Sequence, residues 1–328
     1  MTADFPAILN KASSGLILLA AHERPDGDAV GSLTALTSIL NDNGFSAKAV
    51  LPGPVPDYAI PFLPKELIVS SANGLTASLF IILDTSNRKR AAVADFPLES
   101  VPDVLNIDHH PDNERFGTAQ ILDPKACSAS QIVYRLVRKA GFRITSENAS
   151  RLLLGIMTDT GCFRFDNTDP EALRSAADLI ALGADHHKLI LEVYSSKPEN
   201  MLRFEAEAVQ TRLKTAFNGR FAWISLDSAL MEKYGIDPRN MEQVIDLPRN
   251  IAGVFLAATL RPEKNGFKLS LRSKDPRYSA GRIARLLNGG GHELAAGGFI
   301  PASSLEEAEA ILLHHVKMEL DSNEKQSQ

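Results

Sequence analysis

Leu79 to Leu83 reads LFIIL, an unbroken apolar run. A strand alternates its side chains between two faces, so such a run must be covered on both. That demand favours a parallel sheet packed between helices over an antiparallel sheet with one wet face. Two further stretches carry the same pattern, Gly15 to Ala21 (GLILLAA) and Val104-Leu105-Asn106-Ile107. Around them lie segments with helical periodicity: Phe5 to Lys11, Ala29 to Leu40, Ser128 to Lys139, Glu147 to Met157 and Pro170 to Leu182. Ala47 to Leu51 reads as another strand. The last of these helices begins well, with Asp169 as N-cap and Pro170 at the first helical position. Residues 1–190 are therefore read as an α/β domain, a parallel sheet with helices on both faces.

GLILLAA is far too short to span a bilayer, and no cleavage-like segment separates it from the charged HERPDGD. It reads as the first buried strand. Residues 191–205 are polar and serve as a linker in this reading. The pattern then changes. Strands are expected at Val209 to Phe217, Arg220 to Leu226, Gly253 to Leu260 and Phe267 to Ser273. Helices are expected at Asp227 to Tyr234, Met241 to Leu247, Gly281 to Leu287 and Leu305 to Leu320. Residues 206–328 thus form a second, smaller α/β domain, and 328 residues suit two domains of ordinary size. The formal net charge of -5 argues against a broad nucleic-acid-coating surface, though not against a short nucleotide held by a few arginines. Cys127 and Cys162 have no paired spacing, so neither a disulfide framework nor a thiolate zinc site is indicated. A reducing, cytoplasmic setting fits.

The chemistry is carried by the residues at the far end of each buried run. After the first come His22, Asp26, Gly27 and Asp28; after LFIIL comes Asp84; after VLNI come Asp108, His109 and His110. Asp159 stands where a helix gives way to Gly161. Each fragment alone has a plain structural reading as a turn, cap or loop. In open parallel sheets, however, ligands bind outside the carboxyl ends of the strands. Such a sheet would gather Asp26, Asp28, Asp84 and Asp159 with at least two imidazoles, and the carboxylates would repel one another. Two divalent cations are the simplest remedy. Hard oxygen plus imidazole, without thiolate, favours Mn²⁺ or Mg²⁺ over structural zinc. Two such ions about 3.5–4 Å apart can activate water and clamp an in-line displacement at phosphorus. In the second domain, Gly289-Gly290-Gly291-His292 offers backbone amides and an imidazole to a phosphate, and Arg272 can fork onto one.

With these residues in order, the chain resembles the DHH phosphoesterase superfamily. His22…Asp26-Gly27-Asp28, Asp84, Asp108-His109-His110 and Asp159 look like its four ordered motifs. Gly289 to His292 looks like the signature of its DHH-associated C-terminal domain. The resemblance runs from His22 to His292 and implies metal ligands at His22, Asp26, Asp28, Asp84, His109 and Asp159. Asp84 is implied to bridge two ions, most simply Mn²⁺, with Mg²⁺ as the alternative. His110 is assigned to the substrate phosphate, with Asp108 supporting it. Arg272, Gly290, Gly291 and His292 would bind the terminal phosphate. With two domains and nothing else, the chain looks most like the stand-alone nanoRNase and pAp-phosphatase type. That type implies short RNA or a linear dinucleotide (pApA, pGpG), or pAp, as substrate. Long duplex nucleic acid and membrane are not expected as partners, and a homodimer is left open. The rivals are an inorganic polyphosphate or pyrophosphate hydrolase and a nucleotide-sensing binding protein. The second would be favoured by a missing ligand, and all six positions are filled.

Overall fold

In the computed structural model, which describes residues 4–93 and 96–324, the apolar runs form the centre of a parallel sheet. Its strands are β1 (Leu16–Ala20), β2 (Ser46–Val50), β3 (Ile68–Val69), β4 (Leu79–Leu83), β5 (Asp103–Asp108) and β6 (Ala119–Leu122). They lie in the order β3-β2-β1-β4-β5-β6, each neighbouring pair parallel. LFIIL is β4, buried along its whole length.

The two faces are covered unequally. One carries the α-helices: α1 (Phe5–Lys11), α2 (Gly27–Asp42), α3 (Ala129–Lys139), α4 (Ser146–Asp159), α5 (Pro170–Ala181) and α6 (His186–Tyr194). The other is closed by irregular chain and single-turn 3-10 helices, which seat Ala72, Ala91, Val93, Leu98 and Val101 against Leu18, Phe80 and Ile82. Asp169 caps α5 as expected, its Oδ1 accepting from the Ala172 amide at 2.7 Å. The contact between α2 and α4 depends on small residues. A Cβ on Gly31 would lie 2.5 Å from the Arg151 carbonyl oxygen, and one on Gly155 would lie 2.5 Å from Asp28 Oδ1.

The chain runs outward from β1 to β3 and then crosses to β4 on the far side of β1. The crevice between β1 and β4 is thus the topological switch point, where open α/β sheets bind ligands. Ala20 pairs with Ile82, and Leu83 with Ile107. Extended past the strand ends, this register sets His22, Asp84 and Asp108 in one row.

The two compact units are Met1–Ser196 and Lys197–Gln328. The segment 191–205, expected to be a linker, instead holds the end of α6 and the first half of α7 (Glu199–Arg212). Met201, Phe204 and Ala208 of α7 pack on Ile224 and Leu226 of the second unit. That unit continues with β7 (Leu213–Ala216), β8 (Phe221–Ser225), α8 (Ser228–Tyr234), α9 (Asp246–Arg249), β9 (Leu256–Glu263) and β10 (Gly266–Ser273). It ends with α10 (Ala280–Leu286), β11 (Gly290–Gly291), β12 (Ala295–Ile300) and α11 (Leu305–Glu324). The sheet order is β11-β12-β10-β9-β8-β7, parallel at β8/β9 and antiparallel elsewhere.

Two expectations change here. Val209 to Arg212 is the last turn of α7, and the strand begins only at Leu213. The Met241–Leu247 helix is a 3-10 turn, Glu242–Ile245, running into the short α9. The stretch after the glycine triplet, Ala295–Ile300, to which no element was assigned, is strand β12. Among the described residues, no helix is long and apolar enough to cross a membrane.

Candidate metal centre

The ends of three strands and two helices supply the site. His22 follows β1 and is tied down by a bridge to Ala91. Its Nδ1–H donates to the Glu23 carbonyl at 2.7 Å, which turns Nε2 toward the carboxylates. Asp26 is the N-cap of α2, its Oδ1 accepting from the amides of Asp28 and Ala29 at 3.1 and 3.0 Å. Asp28, in the first turn of α2, reaches across to α3. Its Oδ2 accepts from the Ala129 amide at 2.6 Å and its Oδ1 from the Ser130 amide at 2.9 Å. Gly155 leaves room for that carboxylate.

Asp84 follows β4 directly with φ 49, a left-handed backbone uncommon for residues other than glycine. Its carboxylate lies between two imidazoles: Oδ2 is 3.6 Å from His22 Nε2, and Oδ1 is 3.4 Å from His109 Nε2. Asp84 Oδ1 is buried and accepts no hydrogen bond among the described residues. A buried carboxylate oxygen without a donor is costly, and a cation is the natural partner it lacks. His22, Asp26 and Asp84 offer ligand atoms within 4.8 Å of one another, and so do Asp28, Asp84 and His109. Asp84 belongs to both groups. Asp159, at the end of α4, adds an Oδ2 at 3.5 Å from His109 Nε2. All six expected ligands therefore converge on one edge of one sheet.

The electrostatics match a site made for positive charge. Burial opposes protonation of His22, yet Asp26 and Asp84 hold its pKa well above the usual imidazole range. Burial likewise opposes protonation of His109, and Asp159 and Asp84 reverse the sign. Burial, then Asp84 and Asp159, push Asp28 well above the usual carboxylate range. Burial lifts Asp159 to about 6. With protein groups alone, the carboxylates draw protons onto their neighbours. A divalent cation would relieve the same field.

Asp108 and His110 behave differently. Asp108 is fully buried, and both its oxygens are engaged. Oδ1 accepts from His110 Nδ1 at 2.8 Å and Oδ2 from Asn113 Nδ2 at 2.6 Å. Asn113 Nδ2 also donates to Asn106 Oδ1 at 2.9 Å, and Asn106 Nδ2 in turn donates to the main-chain carbonyls of Ile82 and Thr85. His110 is thus oriented by a buried chain of amides and a carboxylate. Against its burial, Asp108 keeps the His110 pKa raised. The sequence reading missed Asn106 and Asn113. The available signal was an asparagine interrupting an otherwise apolar strand.

In the second unit, Arg272 sits near the end of β10, in register with Ala295 of β12, and its Nη1 donates to the Leu271 carbonyl at 2.9 Å. Gly290 and Gly291 form β11, paired with Gly297 and Ala296, and His292 follows directly. Arg272 and His292 therefore lie toward the same end of that sheet. The glycines also have a packing duty. A Cβ on Gly289 would lie 1.9 Å from the Gly297 carbonyl oxygen, and one on Gly291 would lie 2.8 Å from that of Ala295.

A parallel sheet with carboxylates and imidazoles at its switch point, followed by a mixed-sheet domain, defines the class. The model of the DHH family, N-terminal domain, matches residues 16–156, and that of the DHHA1 domain matches residues 223–318. The chain belongs to the DHH family of phosphoesterases. Its relatives narrow the class. It is 35% identical over 312 residues to the bifunctional oligoribonuclease and PAP phosphatase NrnA of Thermus thermophilus, covering 94% of this chain and 92% of that one. It is 30% identical over 299 residues to the protein of the same name from Bacillus subtilis, covering 90% and 92%. A solved structure of an exopolyphosphatase-related protein from Bacteroides fragilis superimposes with a TM-score of 0.86 at 25% identity, covering 98% of this chain and 96% of that one. Phosphoesterases of this family are metal-dependent, and the clusters around Asp84 can hold metal.

Proposed function

We propose that this chain is a Mn²⁺-dependent phosphodiesterase of the cytoplasm. It hydrolyses short oligoribonucleotides and linear dinucleotides such as pApA and pGpG to mononucleotides, and pAp to AMP. The names of the Thermus thermophilus and Bacillus subtilis relatives support short oligoribonucleotides and pAp as substrates. The observation that carries the chemistry is Asp84, buried, without a hydrogen-bond donor on Oδ1, and shared by the group with His22 and Asp26 and the group with Asp28 and His109.

In this reading one divalent ion is held by His22, Asp26 and Asp84. A second is held by Asp28, Asp84, His109 and Asp159. Bound there, two cations would balance the carboxylates, activate water and stabilise charge on the phosphoryl oxygens. The chain's own residues do the rest. His110, oriented through Nδ1 by Asp108, presents its other ring nitrogen to the scissile phosphate. Arg272, His292 and the amides of Gly290 and Gly291 bind the terminal phosphate. Substrates are short, and long duplexes are not bound.

The test is the purified protein with Mn²⁺, offered pApA, pAp, a longer RNA and pyrophosphate side by side. Rapid turnover of pApA and pAp with slow turnover of the other two is expected. Preference for pyrophosphate or polyphosphate would favour the rival hydrolase, a reading that the name of the Bacteroides fragilis protein keeps in view. Binding without turnover would favour a nucleotide sensor.

A further inference from the structure

The first unit holds a second cavity-forming feature on the same sheet edge as the metal cluster. It is a cleft of about 370 Å³, open to solvent, over the carboxyl ends of β2 and β3. That volume lies within the range of small-molecule sites. One wall is the segment Glu23-Arg24-Pro25, the three residues between the cluster members His22 and Asp26. This wall is fixed by two backbone bonds, from Glu23 N to the Arg90 carbonyl at 2.7 Å and from Ala92 N to the Ala21 carbonyl at 2.9 Å. Anything seated against it lies next to the metal ligands in the chain.

The chemistry of the lining is selective. Val50, Ala72, Ala92 and Val93 make an apolar floor. Phe96 is half-buried at one side, its ring held against Phe80 with centroids 5.4 Å apart. The rim carries exposed neutral groups, Ser70, Ser71 and Asn73. The backbone N–H of Asn73 donates to Ser71 Oγ at 3.0 Å, and the Asn73 side-chain amide offers the rim both donors and an acceptor. Glu23 and Arg24 put one carboxylate and one guanidinium on the wall, so the lining offers a phosphate no net positive charge. An apolar floor, an aromatic edge and neutral donors and acceptors suit a flat heterocycle on a sugar.

We propose that this cleft is a nucleoside subsite. It takes the base and ribose attached to the scissile phosphate, with Phe96 against the base and Asn73 at its polar edge. The inference rests on the nucleotide reading above and adds to it a specificity element outside the family motifs.

Gly53 provides the test. It lines the cleft, and a Cβ placed on it meets no atom within 4 Å, so a larger side chain there narrows the cleft without disturbing the core. In the full-length, Mn²⁺-loaded protein, Gly53→Trp and Asn73→Ala are compared with wild type on pApA, pAp and bis-p-nitrophenyl phosphate. Stacking and amide contacts of this kind are worth about tenfold or more in affinity. Each variant should therefore raise KM for pApA and pAp at least about tenfold more than KM for the nitrophenyl ester. Calorimetric titration of AMP into wild type and Gly53→Trp gives an independent reading, and binding should weaken in the variant. Equal kinetics and equal AMP affinity in both proteins would overturn the subsite and leave the nucleotidase reading intact. Wild type that binds AMP in a Gly53→Trp-sensitive way without hydrolysing pApA would overturn the activity and keep the subsite. Wild type that neither binds AMP nor cuts pApA would remove both.

Discussion

The carboxyl edge of the first sheet and the glycine-rich edge of the second use similar sequence signals for different physical ends. In the first, polar groups are brought together at a cost. Asp84 takes a left-handed backbone, and its Oδ1 is buried without a donor. Glycines there make room for a functional group, as Gly155 does for the Asp28 carboxylate. In the second, Gly289 and Gly291 make room for backbone, letting the chain lie against β12. The same residue type serves ligand chemistry in one region and strand packing in the other. A glycine motif therefore identifies a ligand cradle only after close backbone packing has been accounted for.

The largest expected effect lies at Asp84. Asp84→Ala should lower Mn²⁺-dependent hydrolysis of pApA by roughly 10³-fold or more, since several kcal/mol of charge stabilisation is at stake. Bound metal, measured by elemental analysis, should fall while far-UV circular dichroism is retained. Near-normal turnover with full metal content would break the contrast between the two edges at its root.

Next come the groups behind the metals. His110→Ala should keep its metal and lose most turnover. Asn113→Ala removes a charge-assisted bond to Asp108, worth about 1.5–3 kcal/mol, so kcat should drop roughly 10- to 100-fold with little change in KM. The double variant should be scarcely worse than His110→Ala alone if Asn113 acts through His110. Additive losses would assign Asn113 a separate role.

On the second edge, Arg272→Ala and His292→Ala should weaken pApA hydrolysis by about 10- to 100-fold relative to bis-p-nitrophenyl phosphate. The selectivity should shrink on dinucleotides lacking a 5′-phosphate. Equal losses on every substrate would indicate a folding or metal defect instead.

The smallest effect sharpens the contrast most. Gly289→Ala should destabilise the second unit by about 1–3 kcal/mol through overpacking against Gly297, seen as a lower thermal midpoint. An unchanged midpoint with weakened phosphate affinity would mean that this glycine serves the ligand after all.

Much of the first unit was legible because its signal is simple. Short apolar runs mark doubly covered strands, and the residues just past them must sit at one edge. His22, Asp84 and Asp108 fall into a row for that reason alone. The second unit was harder. AAGGFI opens on two alanines and two glycines, which are depleted in strands, so no strand was expected there although β12 sits inside the sheet. Val209 was read as a strand start because it is an exposed apolar residue on the last turn of α7, outside the helix's buried stripe. Neither Asn106 nor Asn113 has a spacing that reveals its partner, since their bond closes only when β5 and the loop after it fold back.

The row across β1, β4 and β5 also bears on how the chain matures. Its cation-binding groups are scattered from His22 to Asp159 and meet only once the middle of the sheet has closed. Contacts so distant in sequence form late, because loop-closure entropy must be met first. The unfolded chain then offers no comparable site, so a cation selects the finished fold. At a free concentration of 100 Kd it would add about 2.7 kcal/mol to the stability of that state. The supply of that cation would then set how long each molecule stays folded as well as how fast it works.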